Sequence, residues 1–200
     1  MDEQIHYRLK AIKKELRLSM NGPASTAMRE RGLQYKVNFG VELPRLKVIA
    51  ATLEPSHELA QALWKEEIRE CKILATMIQP AETFYEDIAD IWLSDINNIE
   101  LVEQATMNLF SRLPYAPSKA FVWIADDRDY VQSCGFLLAA RLFGQGYELN
   151  RRAIDEFLDQ AEITLKGEKY FPKKEARVAL MKFAAQNKEN EKKVTLLLGF

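Results

Sequence analysis

Apolar residues recur every three or four positions along nearly the whole chain, the spacing of helices that bury one side. Ile5, Leu9, Ile12, Leu16 and Met20 form the first such stripe, with Lys10, Lys13, Lys14 and Arg17 around it. They predict a helix over 2–20, ended by Asn21-Gly22-Pro23. A short helix over 24–31 is closed by Gly32. Residues 33–42 read as a loop, followed by a helix with Pro44 in its first turn and Leu46, Ile49, Ala50 and Leu53 on its apolar side. Pro55-Ser56 caps a helix carrying Leu59, Ala62 and Leu63. Ile68-Arg69-Glu70 opens another, with Cys71, Leu74, Ala75 and Ile78, stopped before Pro80.

The pattern continues without a break in kind. Thr83 and Glu86 read as a capping box. Asn97 or Asn98 caps a helix running to Leu113, and Pro114-Tyr115-Ala116-Pro117 is a stiff connection. Ser118 begins a helix with Phe121, Val122 and Ile124. Asp127 to Phe143 is nearly apolar from Cys134 onward and is expected at the centre; Gly144-Gln145-Gly146 ends it. That Gly-x-Gly has no strand before it, so it is a weak phosphate-loop signal. Ile154, Phe157, Leu158, Ala161 and Leu165 mark a helix over 151–165, and a last long helix starts near Pro172. No segment alternates with period two. Helix pairs joined by short turns, repeating unevenly at roughly 30–45 residues, predict an all-α solenoid of the HEAT-like helical-repeat type, one domain over 1–200.

Charge changes this picture only locally. The 200 residues carry a net −1. Residues 54–103 hold twelve acids and three bases, a net −9; residues 165–193 hold nine bases and four acids, a net +5. The basic segment is either a solvated helix face or a phosphate-binding surface. Lys169, Lys173, Lys174 and Arg177 surround the start of the last long helix, where backbone donors and the dipole also favour phosphate.

Other chemistries find few residues. Cys71 and Cys134 lie far apart in apolar runs, the usage of buried thiols in a reducing cytoplasm. With only His6 and His57 besides, a zinc site lacks ligands, and no metal or cofactor is expected. The charged N-terminus is no signal peptide, and the longest apolar run, Cys134 to Ala140, is far too short to span a membrane. Trp64, Trp92 and Trp123 sit at helical spacing among apolar neighbours, which points to core packing.

Two stretches carry a resemblance. Asn38-Phe39-Gly40-Val41-Glu42-Leu43-Pro44-Arg45-Leu46-Lys47 resembles the early motif of the AlkD-like DNA alkylation repair family, in which a Gly precedes a Pro-initiated helix. Ala62-Leu63-Trp64-Lys65-Glu66-Glu67-Ile68-Arg69-Glu70-Cys71-Lys72-Ile73-Leu74-Ala75 is similar to that family's next helix pair, and the order of elements matches to about residue 186. The resemblance implies HEAT-like helix pairs that hold duplex DNA in a cationic concave face. It also implies a glycosylase that releases purines alkylated at N3 or N7 without full base flipping. There an Asp stabilises the positive charge that builds on the sugar, a Trp lies one turn before it, and an Arg and a second Trp follow on later helices. By the same resemblance, Glu103 stands at the Asp position, Ile99 at the first Trp, Ser133 at the Arg and Val178 at the second Trp.

Glu103 also stands out without the resemblance. On a helical wheel it lies at the edge of the apolar face formed by Ile99, Val102, Thr106, Leu109, Phe110 and Leu113. A carboxylate at such a border is either a solvated edge residue or a site group. The expectation is therefore a DNA-binding member of the family with weak or absent glycosylase activity. An active glycosylase using Glu103 and a protein-interaction scaffold built on the acidic half are the alternatives.

Overall fold

The computed structural model describes residues 3–199. Among them are twelve α-helices and two short 3₁₀ turns; the sole β pairing is an isolated parallel bridge between Val37 and Ile68. The expected start of the first helix at residue 2 lies outside the described residues. The chain separates into two compact units, Met1–Tyr85 and Glu86–Phe200.

The first unit contains α1 (Glu3–Leu18), α2 (Gly22–Glu30), α3 (Leu43–Ala51), α4 (His57–Trp64) and α5 (Arg69–Ile78). The stripe on α1 buries Leu9, Ile12 and Leu16, and α1 packs against α4. Asn21 caps α2 by accepting from the Ala24 amide, and Ser56 caps α4 by accepting from Leu59. The connection between α2 and α3 folds back on the unit. Gly40 has φ +73°, and a Cβ there would come within 2.1 Å of the Asn21 carbonyl oxygen, so only glycine fits.

A buried charge clasp holds this connection to α5. The Glu70 carboxylate accepts the Phe39 and Val41 amides at 3.2 and 3.1 Å. Arg69 donates to Glu70 at 3.1 Å and to the Val41 carbonyl at 2.9 Å. Both side chains are buried. The arrangement gives acceptors to loop amides that would otherwise be buried unpaired.

The second unit contains α6 (Glu86–Ser94), α7 (Ile99–Asn108), α8 (Ala116–Ile124), α9 (Asp129–Gly144), α10 (Arg151–Lys166), α11 (Tyr170–Ala184) and α12 (Lys188–Leu198). The apolar α9 is central, packed against α7, α8 and α11. Phe136 and Phe143 from α9, Phe157 from α10 and Phe183 from α11 meet in one cluster, with ring centroids 5.1–6.5 Å apart. Gly135 lets α8 and α9 touch backbone to backbone: a Cβ there would lie 2.4 Å from the Ile124 nitrogen and 2.7 Å from the Trp123 carbonyl carbon. Asp90 braces α6 to α8 by accepting from Lys119 at 2.7 Å and from the Trp123 indole at 2.9 Å. All three tryptophans are buried, as are Cys71 and Cys134.

Several boundaries differ from the expected ones. Thr83 and Glu86 form no capping box: Thr83 ends a 3₁₀ turn, Ala81–Thr83, and Glu86 is the first residue of α6. Asn98 is the cap of α7, accepting from Leu101 at 3.0 Å. That helix stops at Asn108, and a separate 3₁₀ turn covers Phe110–Arg112. α8 starts at Ala116 rather than Ser118, because Pro117 is accommodated in its first turn. The last long helix is two helices, broken where Asn187 caps α12 by accepting from Asn190.

Candidate nucleic-acid interface

In the second unit, α7, α9 and α11 enclose a groove of about 510 Å³. α9 supplies Leu137, Ala140, Arg141 and Gly144, spaced so that they share one face; the small Ala140 and Gly144 leave room between the helices. α11 supplies Val178 and Lys182, and α7 supplies Glu103. The structure thus brings together two of the positions singled out above, Glu103 and Val178. Ile99 lies one turn before Glu103, half-buried and outside the groove lining. Ser133 is fully buried and its hydroxyl donates to the Asp129 carbonyl at 2.7 Å, so it faces the packing of α9.

Glu103 is exposed along part of its side chain, yet its carboxyl is held above the ordinary value. Desolvation by the surrounding helices is the main cause; Lys174 opposes it, and the nearby Glu175 and Glu100 add to it. A carboxylate beside cations in a groove of this kind can meet a positive centre, while the cations meet an anionic backbone.

The four cations expected at the start of α11 are there, but three are engaged within the protein. Lys169 ties α11 to α9 through the Asp127 carbonyl and the Asp129 carboxylate. Lys173 donates to the Gly167 carbonyl at 2.8 Å. Lys174 lies 3.1 Å from the buried Glu175 carboxylate, which holds its ammonium above the ordinary value, with a smaller contribution from Glu103. Arg177 is exposed with no ion pair among the described residues.

Arg141 and Lys182 are exposed at the groove and likewise have no ion pair among the described residues. Arg141 was not legible in the sequence as a groove residue, because one cation in an apolar helix gives no sign of the side it faces. Lys182 was legible in principle, since it follows Lys174 and Val178 at intervals of four residues on one face of α11. Among the described residues no three His, Cys, Asp or Glu side chains gather as a metal site, and no helix is long and apolar enough to cross a membrane.

Helix packing and groove together define an all-helical protein whose second unit presents a cationic, carboxylate-bearing groove. The family model described as DNA alkylation repair enzyme matches residues 12–193, and the chain belongs to that family. A solved structure superposes with a TM-score of 0.85 at 19% sequence identity, covering 94% of this chain and 81% of that chain. It is described as one of a new family of proteins related to the HEAT-like repeat DNA glycosylases with affinity for branched DNA structures. The likeness shows that the fold is of the HEAT-like repeat type. No protein of curated function matches the chain by sequence.

Proposed function

We propose that this chain binds duplex DNA through the groove at Glu103 and the start of α11, in connection with alkylation damage, and that it releases alkylated bases weakly or not at all. The observation that carries this reading is the set of exposed cations without ion pairs, Arg141, Arg177 and Lys182, on the two helices that face Glu103. Family membership supplies the polyanion: cations of this kind neutralise phosphates and release counterions. The DNA affinity described for the structural relative points the same way. Part of the acidic stretch is used within the protein, which leaves less of it for a scaffold surface. Glu70 is buried in the clasp, Glu66 is paired with Lys13, and Glu86 and Asp90 are both paired with Lys119. The two buried thiols suit a reducing compartment, and a cytoplasmic location is part of the proposal.

Weak catalysis follows from what lines the groove. When the bond between an alkylated purine and its sugar breaks, the base leaves with the electron pair, positive charge builds on the deoxyribose, and water adds to it. A carboxylate and aromatic faces stabilise that charge. Here Val178 offers an aliphatic surface, Ile99 stands off the groove and Ser133 is buried. One observation favours the alternative of an active glycosylase: Glu103 lines the groove, where partial burial holds its carboxyl above the ordinary value.

Binding measured by fluorescence anisotropy against salt, beside base release from duplex DNA carrying 7-methylguanine, tests both readings. The wild type should bind duplex in a salt-dependent manner. Replacing Arg141, Arg177 and Lys182 by Ala should flatten the log–log salt slope by about two to three units, and adding Lys173→Ala and Lys174→Ala, whose cations are held within the protein, should add little. Arg177→Ala alone, which breaks no internal bond, should flatten it by about one. Duplex binding absent at low ionic strength would reject the proposal. Base release that Glu103→Gln abolishes would establish the glycosylase instead.

A further inference from the structure

The first unit carries a second cationic surface that the groove does not use. Once α1 has buried Leu9, Ile12 and Leu16, its outer side shows Tyr7, Lys10, Lys14, Arg17 and Leu18, all exposed. Tyr7 is 74% exposed and Leu18 79%, both large apolar groups left in water. Two of the neighbouring acids are engaged, Glu15 with Arg45 at 3.1 Å and Glu66 with Lys13 at 2.8 Å, which leaves Glu3 at the start of the helix as the acid on this face. Lys10, Lys14 and Arg17 have no ion pair among the described residues, and they follow one another at intervals of four and three along one helix face. Seven residues of helix place them along about 10 Å, the reach of a few successive phosphates.

We propose that the outer face of α1 is a binding site for single-stranded DNA, in which Lys10, Lys14 and Arg17 follow the backbone and Tyr7 stacks on an unpaired base. Cations alone would suit any polyanion. The exposed tyrosine beside them selects a strand whose bases are free, since stacking on an aromatic face needs no particular sequence but does need an unpaired base. A lipid surface is a worse occupant, because the continuous apolar stripe that would enter it is buried inside the unit. The site does not depend on the groove, and it gives the chain a hold on the unpaired strand that damaged, frayed or branched DNA exposes.

The test uses the full chain and two fluorescent probes, a twelve-nucleotide oligothymidine and a blunt twelve-base-pair duplex. The triple change Lys10→Ala, Lys14→Ala, Arg17→Ala should weaken oligothymidine binding about tenfold or more and flatten its salt slope by about two units. Tyr7→Ala should weaken it by about tenfold, the loss of one stacked base. Neither should change duplex affinity more than about twofold, whereas Arg177→Ala should do the reverse. Thermal melting of each variant, unchanged because every altered side chain is exposed, excludes misfolding as the cause. Oligothymidine affinity that survives the triple change overturns the proposal, as does a Tyr7→Ala variant that binds as the wild type does. Equal competition by polyglutamate also overturns it, assigning the face to an acidic polypeptide. Loss of duplex binding with α1-dependent strand binding intact would reject the groove and keep this site.

Discussion

The two units stabilise the same kind of helix packing by opposite means. In the first, a buried carboxylate and a buried guanidinium fix the connection between α2 and α3 to α5. In the second, four phenylalanine rings from three helices fill the centre. The connection explains the difference. It runs close enough to α5 for Val41 to be buried, and its amides need acceptors there. A helix neighbour has already satisfied its own backbone and needs no acceptor from outside. At Glu70 charge enters the core of the first unit to serve irregular backbone, whereas the buried Glu175 of the second unit is met by a side chain, Lys174.

Breaking the clasp should therefore have the largest effect. Glu70→Ala leaves the Phe39 and Val41 amides without their acceptor and Arg69 without its carboxylate, and should cost about 4 kcal/mol in urea denaturation. Glu70→Gln, which keeps one acceptor oxygen, should cost less. A Glu70→Ala protein as stable as the wild type would remove the contrast between the units. The counterpart in the second unit is Phe157→Ala, which deletes the ring that touches Phe136, Phe143 and Phe183; a loss of about 3 kcal/mol is expected. Thiol labelling sharpens the comparison, since Cys71 reports on the first unit and Cys134 on the second. Glu70→Ala should speed labelling of Cys71 more than of Cys134, and Phe157→Ala the reverse.

Surface charge should matter least. Asp126 accepts the Arg128 backbone amide at 2.8 Å and its guanidinium at 2.9 and 2.8 Å, and the hydrogen bonds from the side chain hold its carboxyl below the ordinary value of 3.8. The stability this adds is fully present above that ordinary value and is lost as pH falls through the lower folded one. Because Arg128 is 57% exposed, the contribution is no more than about 0.5 kcal/mol. Asp126→Asn should melt slightly below the wild type at pH 7, and the difference should shrink as pH falls below 3.8.

The helices were legible because their apolar period is long and regular; their ends were not. Leu109, Phe110 and Leu113 continue the spacing of α7 past Asn108, yet the backbone tightens into a 3₁₀ turn there, which spacing of three and four does not distinguish from an α-helix. The split between α11 and α12 was visible only in Asn187, one polar residue in a basic stretch. Glu103 could be picked out because a wheel shows it at the edge of its own helix. Arg141 could not, because the side of α9 that faces the groove is set by how α7 and α11 pack on it. The same packing turns Ser133 inward, which no reading of α9 alone would have found.

Gly135 has a mechanical consequence for that groove. Where side chains separate two helices, rotamer changes let them slide; where backbone meets backbone, nothing can rotate out of the way. α8 and α9 therefore move as one stiff plate, and the groove wall that carries Leu137, Ala140 and Arg141 moves only with it. α11 is itself held to α9 through Phe143 and Phe183, so any widening or narrowing of the groove has to come chiefly from α7, the wall that holds Glu103. On that account the width of the groove is adjustable on the α7 side and fixed on the side of α9 and α11.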